Sequence, residues 1–208
     1  MNILEDRDFT LILPVCFDLV GDKKKSSGSE MDRLLRQDLQ SFQKRKIFVF
    51  SSYRLKTLRK YLDQKGFRSL SPLIDLKGFS KIRNTGLLLA QALSMDMVIF
   101  IDNDEIVEDP DYLKIASEYL NQRWNGKLVS GKGGCYLNPD GSILLSSRKL
   151  WWDFLWDKTR WMNQTYERIL HSKDRLVPSP MLLGGNLVLH HRLFQSPPLL
   201  NLTAAANS

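Results

Sequence analysis

The sequence predicts an α/β protein: a mostly parallel, doubly wound, Rossmann-like sheet flanked by helices in a three-layer sandwich. Three observations predict it. Short continuous apolar runs stand at 9–15, 46–50 and 97–101, as expected of strands buried on both faces. Apolar residues at helical spacing fill the intervals between them. In such sheets ligands sit beyond the carboxyl ends of the strands, which is where Pro14-Val15, Ser51-Ser52 and Asp102-Asn103-Asp104 fall.

The elements follow in order. The run 9–15 ends a first strand at Pro14, and the polar segment 18–29 is a loop. Met31, Leu34, Leu35, Leu39 and Phe42 give an amphipathic helix over 30–42. After the second strand, Leu55, Leu58, Tyr61 and Leu62 mark another helix, with Gly66 placed to end it. A short extended piece is expected over 70–76, then a helix capped by Ser80 and running to Leu93, then the third strand. The second half changes character. A helix is expected over 110–123. Asn138-Pro139-Asp140-Gly141 is a turn between apolar runs, so 133–147 reads as an antiparallel hairpin. A helix over 150–170 and a strand over 181–189 complete the pattern. Residues 1–198 read as one domain, with halves at 1–109 and 110–198, and the chargeless stretch 199–208 reads as an unstructured tail.

Composition narrows the function. The 208 residues are 43% hydrophobic and 25% charged, enough for a real core. The net charge of +7 favours anionic partners. The basic residues are dispersed, however, and aromatics do not alternate with them as in RNA-binding sheets. A nucleic-acid partner is therefore not expected, and a small phosphorylated ligand or an anionic membrane face accounts for the surplus. No apolar run is long enough to span a bilayer. Glu5, Asp6 and Asp8 stand where a signal peptide needs an apolar core. Cys16 and Cys135 fit no zinc or disulfide framework. A cytoplasmic protein, with peripheral membrane contact left open, is the expectation.

The sharpest chemical signal is Asp102-Asn103-Asp104, directly after an apolar strand. Carboxylates at i and i+2 share a side if the chain stays extended, and together they can hold a hard divalent cation that grips phosphate oxygens. Upstream, Arg83-Asn84 opens a helix whose far end leads to that strand. A guanidinium at a helix start suits phosphate. A solvated strand end and an ordinary surface arginine are the plain alternatives.

These residues carry a resemblance. Arg83-Asn84-x-Gly86-x-x-x-Ala90, then the strand into Asp102-x-Asp104, then Asp109-Pro110 and the later Gly184-Gly185-Asn186 strand start, are similar in order and spacing to family 2-type glycosyltransferases of the GT-A fold. The resemblance covers about residues 9–194 and implies a metal-dependent enzyme that moves a sugar from a nucleotide-sugar. It implies that Pro14, Arg83, Asn84, Asp102 and Asn103 bind the nucleotide-sugar, and that Asp102 and Asp104 hold Mg2+ or Mn2+. Gly184, Gly185 and Asn186 would lie by the donor sugar and the acceptor, whether carbohydrate, lipid-linked or a small molecule. Three departures stand against it. Ser51-Ser52-Tyr53 replaces the acidic residue that many members carry after the second strand, and the 18–29 loop is long. The family's base-bearing carboxylates are not found, since nothing acidic follows Asp174. The chain is accordingly expected to be a shortened form with little transferase activity and no assignable catalytic base. A nucleotidyltransferase, or a non-catalytic nucleotide-sugar-binding module, is the alternative.

The remaining candidates read as structural. Trp151, Trp152, Phe154, Leu155, Trp156 and Trp161 crowd one stretch; core packing is expected, with sugar stacking and membrane contact as alternatives. His190 and His191 read as strand and surface residues rather than metal ligands, Cys16 as inert core, and Lys132-Gly133-Gly134 as a loop.

Overall fold

In a computed structural model, the structure describes residues 8–15, 33, 37, 46–135, 137–138, 140–146, 151–180, 182 and 185–194. The expected loop 18–29, the tail 199–208, Cys16 and Gly184 lie outside them, as does the 30–42 helix apart from Arg33 and Gln37, both helical. The chain is a mixed α/β protein with small sheets. It divides into two compact units: Met1–Val98 with Val107–Ser130 and Leu189–Ser208, and Ile99–Ile106 with Gly131–Val188.

In the first unit, β1 (Thr10–Pro14) and β2 (Lys46–Phe50) pair in parallel, Thr10 opposite Lys46 and Pro14 opposite Phe50. Helix α1 (Ser52–Gln64) follows at once. Gly66 ends it as the sequence predicts: at φ 81° it lets the Phe67 N–H reach Leu62 O at 2.8 Å and its own N–H reach Asp63 O at 3.2 Å, a glycine-dependent helix stop. The extended piece expected over 70–76 is instead a 3-10 turn at Arg68–Leu73, and the chain becomes extended only at Ile74. Helix α2 (Phe79–Ala92) starts from Gly78 at φ 75°, not from a Ser80 cap, because the glycine turns the chain two residues before the serine.

Alternate apolar residues of these elements meet in one core. Phe50, Leu55, Leu62, Ile74, Leu76 and Leu89 are buried together, with Ile12, Phe48 and Leu88 packed on them. Polar groups secure its edge. The Arg59 guanidinium donates to Ile74 O at 2.6 Å and to the Asp75 carboxylate at 3.0 Å. Although burial pushes Asp75 up, the Arg59 hydrogen bond and the Leu76 N–H hold its carboxyl below the usual range.

Helix α3 (Tyr112–Ser117) is shorter than expected. The chain leaves it through Tyr119 and Asn121, both at positive φ, into a hairpin of β4 (Arg123–Trp124) and β5 (Lys127–Leu128). Asn125 at φ 49° and Gly126 at φ 77° form its two-residue turn. Asn-Gly is the strongest short hairpin signal, and it overrides the helical periodicity that extends the expected helix to Arg123.

β3 (Met97–Phe100), β7 (Leu187–His190) and β6 (Gly131–Gly133) form a sheet of order β3-β7-β6. A single extended parallel sheet is thus not what the described strands form. They make a two-stranded parallel sheet, this three-stranded one and the β4-β5 hairpin, because β7 takes the place beside β3. Lys132-Gly133, expected in a loop, lies in β6 for the same reason. A four-residue helix α5 (His191–Phe194) follows β7.

The second unit holds the turn at Asn138, whose N–H donates to Ser142 O at 2.7 Å. Among the described residues 142–146 none joins a ladder, so what is described of the hairpin expected over 133–147 is its turn. The single helix expected over 150–170 breaks into a 3-10 turn at Trp151–Phe154 and helix α4 (Lys158–Leu170). Asp157 causes the break: its carboxylate accepts from the Arg160 N–H at 2.8 Å, capping a fresh helix start. The core packing expected for the tryptophan stretch is overturned. Trp151 and Phe154 are each 76% exposed, Leu155 75% and Trp156 63%. Among the described residues no helix is long and apolar enough to cross a membrane.

Candidate functional site

In the second unit, β3 runs into Asp102, but the chain does not stay extended there. The Glu105 N–H donates to Asp102 O at 3.1 Å, closing a turn with Asn103 and Asp104 exposed at its tip. The i and i+2 carboxylates therefore sit on a turn rather than along one side of a strand. Asp102 is half-buried.

Glu105 pins this turn. Its carboxylate accepts the Asp102 N–H at 3.0 Å and also the backbone N–H of Asn186. Burial, reinforced by the Asp102 and Asp104 charges, raises its pKa against the pull of those two donors. The opposite wall is Gly185, which is buried. A Cβ there would collide with the Glu105 carboxylate, meeting Cδ at 2.7 Å. Asn186 follows at φ 50°, a left-handed conformation that asparagine tolerates better than most residues. Its carbonyl accepts the Gly134 N–H at 2.9 Å, and its amide donates to Cys135 O at 3.2 Å. A Cβ on Gly134 would meet the Asn186 amide carbon at 2.6 Å. At both glycines it is close approach rather than the dihedral angle that matters: a Cβ would force the facing side chain, Glu105 or Asn186, to shift.

The structure therefore joins two sequence-predicted pieces, Asp102-Asn103-Asp104 and Gly185-Asn186, within one unit. Glu105 does the joining and Gly134 supports Asn186 from its other side; sequence reasoning missed both. A third acid beside two others reads as a solvated helix start; the signal for Glu105 exists only in its partner glycine. Among the described residues no group of three or more His, Cys, Asp or Glu side chains comes together as a metal site. Two hard carboxylates on an accessible turn do fit a cation whose remaining ligands are phosphate oxygens and water.

The other candidates belong to the first unit. Pro14 ends β1 and is exposed. Arg83 lies half-buried in the first turns of α2, its guanidinium 4.2 Å from the centroid of the Phe79 ring. Asn84 is buried, and its amide donates to Leu73 O at 3.0 Å, so its position in the motif serves the helix–loop junction. Thr85, 1% exposed, has its hydroxyl 2.8 Å from Lys81 O and 3.0 Å from Asp75 O. Ser51 is fully buried and lines no surface. His190 is buried at the end of β7 and His191 rests 3.8 Å from Asp96. Burial, then the neighbouring His191 and Arg192, lowers the His190 pKa. Compared with known protein families, characterised proteins and solved structures, the chain finds no match.

Proposed function

We propose that this chain is a glycosyltransferase of GT-A type, moving a sugar from a nucleotide-diphosphate-sugar to an acceptor. The observation that carries the reading is the Glu105 link. Two motifs far apart in sequence, which the family resemblance assigns to one donor site, are tied through one carboxylate that accepts a backbone N–H from each.

Asp102 and Asp104 would hold Mg2+ or Mn2+, which when bound supplies positive charge against the leaving diphosphate. The chain's own part is preorganisation. The Asp102 backbone is held by Glu105, so its carboxylate meets the ligand with little rearrangement. Asn103 and Asp104 stand exposed at the tip, open to a nucleotide. Gly185 brings the backbone close to that turn, and the left-handed Asn186 turns the chain away from it. Arg83 and Pro14 belong to the first unit, and their phosphate and nucleotide roles rest on the resemblance alone. No residue is assigned as base.

Thermal unfolding with a panel of nucleotide-sugars and Mn2+ tests the reading. A ligand at 100 times its Kd stabilises by about 2.7 kcal/mol, and Asp104→Asn should abolish that metal-dependent gain while leaving the unliganded Tm close to that of the wild type. Absence of a metal-dependent shift with every nucleotide-sugar, or an unchanged shift in Asp104→Asn, would overturn the proposal. Binding without transfer or hydrolysis would instead make the chain a binding module.

A further inference from the structure

The tryptophan stretch of the second unit has chemistry that the donor site does not use. Trp151, Phe154, Leu155 and Trp156 expose 63–76% of their surface within six residues, and Trp161 in the first turn of α4 exposes 40%. Single exposed aromatics are ordinary, but a contiguous set marks an interaction surface. Trp151 and Phe154 stand three residues apart in a 3-10 turn, a spacing that stacks side chains on one side. Tryptophan, with an apolar body and one N–H donor, is the side chain that favours a bilayer's interfacial layer.

Charge selects the occupant. The acids of the stretch, Asp153 and Asp157, are half-buried and line an open cleft of about 370 Å3 with Arg160, Asn163 and Glu167. Asp157 is further engaged as the α4 cap. Lys158 and Arg160 are exposed, and Arg148-Lys149 precede the stretch in sequence. Along the sequence, 148–161 holds four bases and two acids in a chain of net charge +7, a balance that complements an anionic surface. No helix among the described residues can span a bilayer, so contact through this face would be peripheral.

We infer that the Trp151–Trp161 face docks the protein on anionic lipid bilayers, its exposed aromatics in the interfacial layer and Lys158 and Arg160 against the headgroups. This is independent of the glycosyltransferase reading.

Cosedimentation of the full chain with vesicles of phosphatidylcholine alone, or of an equimolar mixture with phosphatidylglycerol, tests it. The mixed vesicles should bind at least about tenfold better, with binding weakened by salt and a blue shift of tryptophan emission. The triple variant Trp151→Ser, Phe154→Ser, Trp156→Ser should lose at least about tenfold in affinity. Lys158→Glu with Arg160→Glu should remove the preference for anionic vesicles; acids in the first turn of α4 suit its dipole, so this variant keeps the test open if the triple variant misfolds. Failure of the wild type to bind mixed vesicles, or unchanged binding by the folded variants, would overturn the inference. So would a dimer in solution that the triple variant dissolves, which would assign the face to a second copy of the chain.

Discussion

The two units are stabilised by different means. The first closes over a contiguous apolar core, with Ile74 at 0% exposure and Phe50 at 2%. In the second, the described buried residues are Thr165, Tyr166, Gly185 and Val188, while its largest aromatics face outward. Amide and carboxylate ties hold its backbone instead. Asn163 clamps Leu145 from both sides, accepting its N–H at 2.8 Å and donating to its carbonyl at 2.9 Å. Asn138 donates to Ser142 and Leu144, Asp157 caps α4, and Glu105 holds the Asp102 turn. Apolar burial is non-directional and tolerates approximate geometry, whereas side-chain-to-backbone bonds fix individual atoms. The unit that carries the candidate site uses the second kind.

Removing core volume should give the largest effect. Ile74→Ala leaves a cavity where no solvent reaches, and about 2–5 kcal/mol should be lost. Denaturant unfolding measures it. A change below about 1 kcal/mol would mean that the core of the first unit is far looser than its burial implies.

Gly185→Ala tests the tie at the candidate site. Its Cβ must displace the Glu105 carboxylate, so about 1–3 kcal/mol of destabilisation is expected, together with weakened metal-dependent nucleotide binding. Glu105→Gln keeps the side-chain length and one acceptor oxygen, and should weaken binding less. If Gly185→Ala binds as the wild type does, the shared wall has no bearing on the site.

Asn163→Ala should cost about 1–3 kcal/mol by leaving Leu145 with two unmet backbone groups. Asn163→Asp keeps the acceptor and loses the donor, so it should fall between Ala and wild type. Ordering the two variants by unfolding midpoint separates a clamp from simple packing.

The contrast also explains what the sequence revealed. β1, β2, α1 and α2 are legible because their apolar periodicity is the physical cause of their burial, and Gly66 ends α1 where expected. The second unit resists such reading. Its tryptophans look like core because apolarity does not say which side chains water will meet. Asp157, in a run otherwise helical, breaks the expected helix because a cap competes with continuation. The Asn125-Gly126 hairpin was readable from its dipeptide, but the helical spacing before it masks the signal. At the site, Asp102, Asp104, Gly185 and Asn186 are visible as motifs. Glu105 is not, since its role depends on a glycine contributed from beside β7.

The smallest expected effect is a pH dependence within the first unit. His190 is buried with a lowered pKa, from burial and then from His191 and Arg192. Above about pH 6.5, its ordinary value, the ring is neutral both folded and unfolded, and pH has no leverage through it. As pH falls through that value the unfolded chain takes up the proton first, so stability declines until the folded pKa is passed. Asp75, also lowered, keeps its full contribution down to the ordinary carboxylate range and loses it only below about pH 4. Two separate declines are therefore expected in Tm against pH, the upper from His190 and the lower from Asp75 together with Asp140 of the second unit, whose pKa hydrogen bonds from Ser142 also lower. His190→Gln should flatten the upper decline and leave the lower in place, while Asp75→Asn should reduce the lower and leave the upper in place. An upper decline that persists unchanged in His190→Gln would place its origin outside this buried ring.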